Sequence, residues 1–317
     1  MVSYPVVQSL APSSFRSYRQ SRSRGDEGSV CLADFAEADQ AMIVDLYAAL
    51  GELAEVFRGE REVAGARIAY RDRIGALLGV GRPQLTGPTR EDIAAALHDI
   101  RGGTMTALLL GLGETSAAGR TTSADVALLA LLRDQRKIIR NIVKDVDPAG
   151  LERDRAAIPH SLAELGGGIA SYGRLGHGAA AIEIHRDADA VVAASCLEFA
   201  ALERAVFNLL NNASRHVDEG VVDVWLDALD SDARIVVANP VPAAHGDTLT
   251  TTLAADPAAL YGAFSTTGSG LGLSIVASIV GNAYGLTEAE ELVGDGYIGT
   301  RVVDGTFLTW LHWPLAR

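Results

Sequence analysis

The sequence predicts an α+β protein: a helical hairpin that pairs with a second copy as a dimeric four-helix bundle, followed by an α/β sandwich. Three observations carry this. Apolar residues recur at threes and fours from about Leu32 to Val146, and strand-like alternation first occurs at Ala181–His185. Near the C-terminus a glycine-rich turn, GSGLGL, runs straight into an apolar helix.

At 317 residues the chain has room for two domains, each with its own core. Hydrophobic residues make up 48% but aromatics only 6%, which favours an Ala/Leu/Val/Gly-rich, helix-rich fold. A net charge of −13 argues against duplex-DNA binding, because counterion release needs clustered Lys and Arg. No nucleic-acid partner is expected, and an anionic ligand must be held by backbone amides, a metal or a few basic residues. The two cysteines, Cys31 and Cys196, have no metal-ligand spacing and fit a reducing compartment. No apolar run reaches the roughly 18 residues of a membrane span, and the N-terminus lacks the order of a signal peptide. The expectation is a soluble, cytoplasmic protein with no membrane partner.

Residues 1–28, rich in Ser and Arg, are expected to be a flexible basic tail without a core. Residues 29–88 read as an N-terminal helical segment with Ile43, Leu46, Leu50, Leu53 and Val56 on one stripe and a second helical run through Ile68 and Leu77. Gly79 to Pro88 close it. The hairpin spans 89–147. Its first helix opens near Thr89-x-x-Asp92, a capping-box variant, and carries Ile93, Leu97, Ile100, Thr104 and Leu108. Glu114–Ser123 break the pattern, and Leu128, Leu132, Ile139, Ile142 and Val146 form the second seam. Such a hairpin buries only one side alone, so a homodimer is the expected solution. Pro148 and Gly150 read as a linker into a second domain, 148–317. Its strands are expected at Ala181–His185, Val221–Leu226, Arg234–Ala238, near Thr300 and at Phe307–Trp313, with a helix over Phe199–Val217 between the first two.

That helix reads LERAVFNLLNNASRHV, with a buried stripe of Phe199, Leu202, Val206, Leu209 and Ala213. Asn208 and Asn212, four apart, share one face, which Arg215 and His216 continue. Amide oxygens can ligate Mg²⁺ and a guanidinium can meet a phosphate. The bland alternative is a solvated polar face, and Asn211 is read as nothing more. The turn at Gly268, Gly270 and Gly272, set before a helix start with unpaired N–H groups, suits a phosphate.

In that order and spacing, NLLNNASRH and GSGLGL resemble the N and G2 boxes of the sensor histidine kinases, within the wider GHKL ATPase group. Phe264 resembles their F box, Gly305-Thr306 their final glycine box, and LHDIRGG stands in the place of their H box. The resemblance covers roughly residues 89–317 and implies a Bergerat-type ATP-binding domain behind a dimerisation and phosphoacceptor hairpin. It further implies ATP and Mg²⁺ as cofactors, with Asn208 and Asn212 holding the metal. Arg215 and His216 would contact the phosphates, Gly268, Gly270 and Gly272 would wrap the triphosphate, and Thr306 would sit near the adenine.

His98 would accept the phosphoryl group, with Asp99 taking the ring proton. Measured from the apolar stripe, both are expected on the exposed side of the helix. Gly102 and Gly103 cost about 1 kcal/mol each in a helix interior, and Gly103 stands where the family has a kinking Pro. Hydrolytic members place a Glu four residues before the metal-binding Asn, where this chain has Asn208, which favours phosphoryl transfer over hydrolysis. Asn239-Pro240 replaces the Asp and glycines expected after the Arg234–Ala238 strand; the Asn239 oxygen can accept from an adenine amino group without the charge of Asp.

The implied function is an ATP-dependent protein histidine kinase that autophosphorylates His98 and passes the group to an Asp on a response-regulator receiver domain. One rival is a catalytically silent phosphotransfer or docking protein with a degenerate ATP site. Another is a GHKL ATPase of a different class.

Overall fold

The computed structural model describes residues 3–11, 30–57, 66–79, 90–101, 105, 108–109, 112, 123–174, 180–215, 217, 220–261, 272–286 and 288–316. They fall into two compact units: Gly25–Ala156 with Gly168–His177, and Met1–Arg24 with Ala157–Gly167 and Gly178–Arg317. The architecture is α+β, a helical region followed by an α/β sandwich.

In the helical unit, α2 (Glu37–Phe57) buries the expected stripe, with Ile43, Leu46, Leu50 and Leu53 at 0% exposure. Along α2 lies α3 (Ala66–Leu77), where Arg73 pairs with Glu52 at 3.0 Å and with Asp45. The hairpin helices are α4 (Glu91–Arg101) and α5 (Ser123–Ile142), packed on each other. The Thr89 cap and the 114–122 loop lie outside the described residues. Leu128, Leu131, Leu132 and Ile139 of α5 are fully buried, and α5 packs against α2 as well as α4. The hairpin therefore finds apolar cover within its own chain.

The region read as a linker at Pro148 and Gly150 is instead a short helix, α6 (Pro148–Asp154). Proline is pre-organised for a first turn, where its missing N–H costs nothing. Asp147 caps it, accepting from the Gly150 N–H at 2.9 Å. Its carboxylate fills the space a side chain at 150 would need, so glycine marks a cap here rather than a break.

The second unit is built on a five-stranded sheet in the order β2-β4-β5-β7-β6, from β2 (Ala180–Arg186), β4 (Gly220–Ala228), β5 (Asp232–Pro240), β6 (Ile298–Val303) and β7 (Thr306–Pro314). Only the β2–β4 pair is parallel. A separate antiparallel pair joins β1 (Ala157–Ser161) to β3 (Val191–Ser195). One sheet face carries Leu226, Ile235, Val237 and Leu311 beneath the first turns of α7 (Leu162–Arg174), with Gly166 against Leu226, and beneath α8 (Cys196–Arg215) and α10 (Gly272–Tyr284). The helix α9 (Ala243–Ala255) packs on β6, and the short α11 (Ala289–Gly294) lies against α10 and β6.

The opposite face departs from expectation. Residues 1–28 were expected to lack a core, yet Tyr4–Leu10 form a helix, α1, seated on that face. Pro5 lies in its first turn, and Val7 and Ala11, both fully buried, meet Trp225, Val236, Ala238, Leu308 and Trp310. Beside them Arg234 and Asp227 form an ion pair with side chains 1% and 2% exposed. Arg234 Nη1 also donates to the Ala11 carbonyl at 2.6 Å, and the Tyr4 hydroxyl donates to Asp227 at 3.1 Å. Average composition hides this apolar i, i+3, i+4 face. Residues 12–29 lie outside the described ones.

Candidate nucleotide site and phosphoacceptor

The expected stripe of α8 is buried: Phe199 and Leu209 at 1% exposure, Leu202 and Val206 at 0%, Ala213 at 4%. The helix starts where Ser195 Oγ accepts from the Glu198 N–H at 3.3 Å, while Glu198 accepts from the Ala194 N–H at 2.7 Å. With the stripe facing inward, Asn208 and Asn212 share one line along the helix. Asn208 is 8% exposed, and its Nδ2 donates to the Arg204 carbonyl at 2.9 Å. Asn211, read as a solvated residue, is 8% exposed. Its burial has a packing cause: α10 and the sheet enclose more of α8 than its apolar stripe alone indicates.

Asn212 meets the start of α10. A Cβ built on Gly272 would lie 2.9 Å from Asn212 Nδ2 and 3.0 Å from Oδ1. Glycine lets the Asn212 amide approach this closely, where a methyl group would turn it away, and the first turn of a helix follows. The structure thus brings together Asn212 and Gly272, with Asn208 one helical turn before Asn212 on α8. Gly268, Gly270, Phe264 and His216 lie outside the described residues, as does the Arg215 side chain.

Asn239 and Thr306 are not brought together. Asn239 alternates with Ile235 and Val237 on the helix-covered face, 3% exposed, its Nδ2 donating to the Pro240 carbonyl at 3.1 Å. Thr306 opposes Pro240 and alternates with Leu308 and Trp310, which face α1. The threonine on the Asn239 face is Thr309, whose Oγ1 donates to the Val237 carbonyl at 3.4 Å. Matching a Gly-Thr pair fixed a position but not the strand register, and one residue of register exchanges the two faces.

In the helical unit, His98 Nδ1 lies 3.1 Å from Asp99 Oδ1. The two side chains are 9% and 3% exposed, not on an open side of the helix as expected. The apolar stripe identifies one buried line of α4, but Ala96 and Asp99 are buried too. Gln135 of α5 donates from Nε2 to the Asp99 and Ile100 carbonyls at 3.2 and 3.3 Å, fastening this turn to α5.

A polar group the sequence did not single out lies on the outer sheet face. Glu183, His185 and Asp223 bring their ligand atoms within 4.8 Å of one another. His185 Nε2 is 2.8 Å from Asp223 and its ring stacks on Trp225. Adjacent parallel strands create it, a proximity no spacing in the sequence reveals.

Residues 199–317 match the family model of the histidine kinase-, DNA gyrase B-, and HSP90-like ATPases. The expected resemblance to the GHKL histidine kinases has its support in this match over the C-terminal part of the chain. No curated protein matches the chain. Among solved structures it is similar to Acinetobacter baumannii histidine kinase AdeS, at 13% identity over 71% of this chain and 98% of that one, TM-score 0.33. A histidine kinase from Burkholderia phymatum STM815 shows 14% identity over 71% and 96%, TM-score 0.35. The catalytic domain of histidine kinase ThkA shows 17% identity over 44% and 82%, TM-score 0.32. At those values the likeness carries no functional argument. Among the described residues, no helix is long and apolar enough to cross a membrane.

Proposed function

We propose that the protein is an ATP-dependent protein histidine kinase that phosphorylates His98 and passes the group to an aspartate of a response-regulator receiver domain. The observation that carries this reading is the contact of Gly272 with the Asn212 carboxamide inside a domain of the ATPase family. A helix start without a side chain, set against amide groups, suits a phosphate and its counter-ion. Asn208 and Asn212 would hold Mg²⁺ through their amide oxygens, a hard-oxygen donor set appropriate to that ion. When bound, the metal neutralises phosphate charge. Asn239 supports adenine recognition: its nitrogen is engaged by Pro240, which leaves the oxygen to accept from an amino group.

His98 serves as nucleophile in this reading. Asp99 accepts from Nδ1–H, which fixes the tautomer and leaves the Nε2 lone pair to attack. A bond forms from Nε2 to the γ-phosphorus as the bond to the ADP oxygen breaks, and Asp99 balances the charge arising on the ring. Burial of His98 requires this turn of α4 to open during transfer. The hairpin over 89–147 is, in this reading, the dimerisation and phosphoacceptor element of a homodimer, as its resemblance to the histidine kinases implies.

Incubation of the full chain with γ-labelled ATP and Mg²⁺ tests this. Acid-labile label that is absent in His98→Ala is expected. Turnover to ADP without label would replace the kinase with an ATPase of another class. No label, with phosphate accepted from a phosphorylated receiver domain, would replace it with a silent phosphotransfer protein.

A further inference from the structure

Cys196, His160 and Glu164 form a linear hydrogen-bonded series. Cys196 Sγ lies 3.1 Å from His160 Nε2, and His160 Nδ1 lies 2.9 Å from Glu164 Oε2. The His160 ring is stacked on Phe199, centroids 4.5 Å apart and planes 8° from parallel, and its side chain is only 7% exposed. Cys196 itself is partly exposed and in no disulfide. It is the first residue of the 20-residue helix α8.

These positions determine chemistry. Glu164 accepts from Nδ1–H, so the imidazole proton resides there and Nε2 is the basic end facing the sulfur. Proton transfer from Sγ to Nε2 then yields a thiolate beside an imidazolium whose second N–H is already held by a carboxylate. The helix start adds a second stabilisation, since the positive end of the helix dipole favours a negative sulfur. Phe199 and the low exposure of His160 fix the ring against rotation. The other ionisable group on this first turn is Glu198, whose carboxylate is occupied by the Ala194 N–H. Nothing in the nucleotide site or in the His98 pair requires this arrangement.

We propose that Cys196 is an oxidation site for hydroperoxides, its thiol deprotonated by His160 and His160 held in place by Glu164. The thiolate attacks one peroxide oxygen, an S–O bond forms and the O–O bond breaks. The departing alkoxide or hydroxide takes the proton from His160 and leaves as alcohol or water. Sulfur is oxidised by two electrons to a sulfenic acid as the peroxide is reduced. A small neutral oxidant suits the site better than an anionic disulfide, because Glu164 and Glu198 lie beside it and the chain carries a net charge of −13. Cys196 opens the helix that carries Asn208 and Asn212, so the modification falls on the element that builds the candidate nucleotide site.

The test uses the full chain without nucleotide, so it is independent of the kinase reading. Alkylation of each cysteine by iodoacetamide is followed against pH by peptide mass spectrometry, and hydrogen peroxide is added with dimedone to trap sulfenic acid. Half-maximal alkylation of Cys196 is expected at least one pH unit below the ordinary thiol value of about 8.5. Dimedone labelling at Cys196 is expected at least tenfold above Cys31. His160→Gln should return the alkylation midpoint to the ordinary range and abolish most dimedone labelling. Glu164→Gln, at a half-exposed carboxylate, keeps the test decisive if the first variant fails to fold, and should move the midpoint upward by a smaller step. An ordinary or higher midpoint in the unmodified chain, or a midpoint unmoved in a folded Glu164→Gln variant, overturns the proposal.

Discussion

The first residue of α10, Gly272, abuts the Asn212 carboxamide so closely that a methyl group at 272 would press on both its nitrogen and its oxygen. Backbone amides and a candidate metal ligand are thereby set side by side. Gly272→Ala should turn Asn212 away and weaken Mg²⁺-ATP binding by about tenfold or more, roughly 1.4 kcal/mol. The fold should persist, since alanine is the better helix former. Asn212→Ala should also abolish tight binding, and the double variant should be no worse than Asn212→Ala alone because the clash has gone. Titration with a fluorescent ATP analogue alongside thermal melts checks this; additive losses would show that the two residues act separately.

The His98–Asp99 pair gives a second prediction. Asp99→Asn keeps a side chain of the same shape but removes the charge that holds Nδ1–H and balances the developing imidazolium. Labelling of His98 should slow by about 10²-fold, within the range of general acid–base effects, while ATP affinity stays unchanged. Single-turnover labelling at saturating ATP measures it, and an equal loss in affinity would assign Asp99 to nucleotide binding instead.

Removal of α1 should expose the sheet face formed by Trp225, Val236, Ala238, Leu308 and Trp310. A chain lacking residues 1–11 should melt at lower temperature and bind a hydrophobic dye. Arg234→Met should be more damaging than the deletion of a surface ion pair, by about 3–5 kcal/mol, because it leaves Asp227 buried and uncompensated. Asp227→Leu combined with Arg234→Met should recover much of that loss. Denaturant unfolding of the four proteins forms the cycle, and equal stability of the single and double variants would deny the pair its role.

The residues that sequence reading places correctly are those whose environment follows from local period. The α2 and α8 stripes, and Leu128, Leu132, Ile139 and Ile142 of α5, are buried as their spacing requires, whereas Val146 lies beyond the end of α5 and is half-buried; the β4, β5 and β7 strands fall where alternation or a continuous apolar run puts them. Asn212 and Gly272 were legible because each belongs to a short motif with a mechanism. Properties set by long-range packing were not. His98 is covered because the turn that bears it is fastened to Gln135, 37 positions on. Thr306 faces α1 because of strand register. Cys196 meets His160 only because β1 and β3 pair. The helix at Tyr4–Leu10 was obscured by averaging with the Ser- and Arg-rich residues that follow it.

The cap of α6 couples stability to pH in both directions. Asp147 accepts from the Tyr47 hydroxyl at 2.5 Å and from the Gly150 N–H at 2.9 Å. Burial opposes its ionisation, but the Tyr47 hydroxyl, the Gly150 N–H and the Arg140 and Arg153 charges outweigh it and hold the carboxyl below its ordinary range. A depressed carboxyl stabilises the folded state fully above its unfolded value, so the helical unit should lose stability as pH falls below about 4. Burial, together with the bond to Asp147, pushes the Tyr47 phenol up, so a second loss should begin as pH rises above about 10. Urea midpoints of the helical unit between pH 3 and 11 measure both limbs. Asp147→Asn should flatten the acid limb and Tyr47→Phe the alkaline one. An acid limb as steep in Asp147→Asn as in the unmodified chain would move the coupling to another carboxylate.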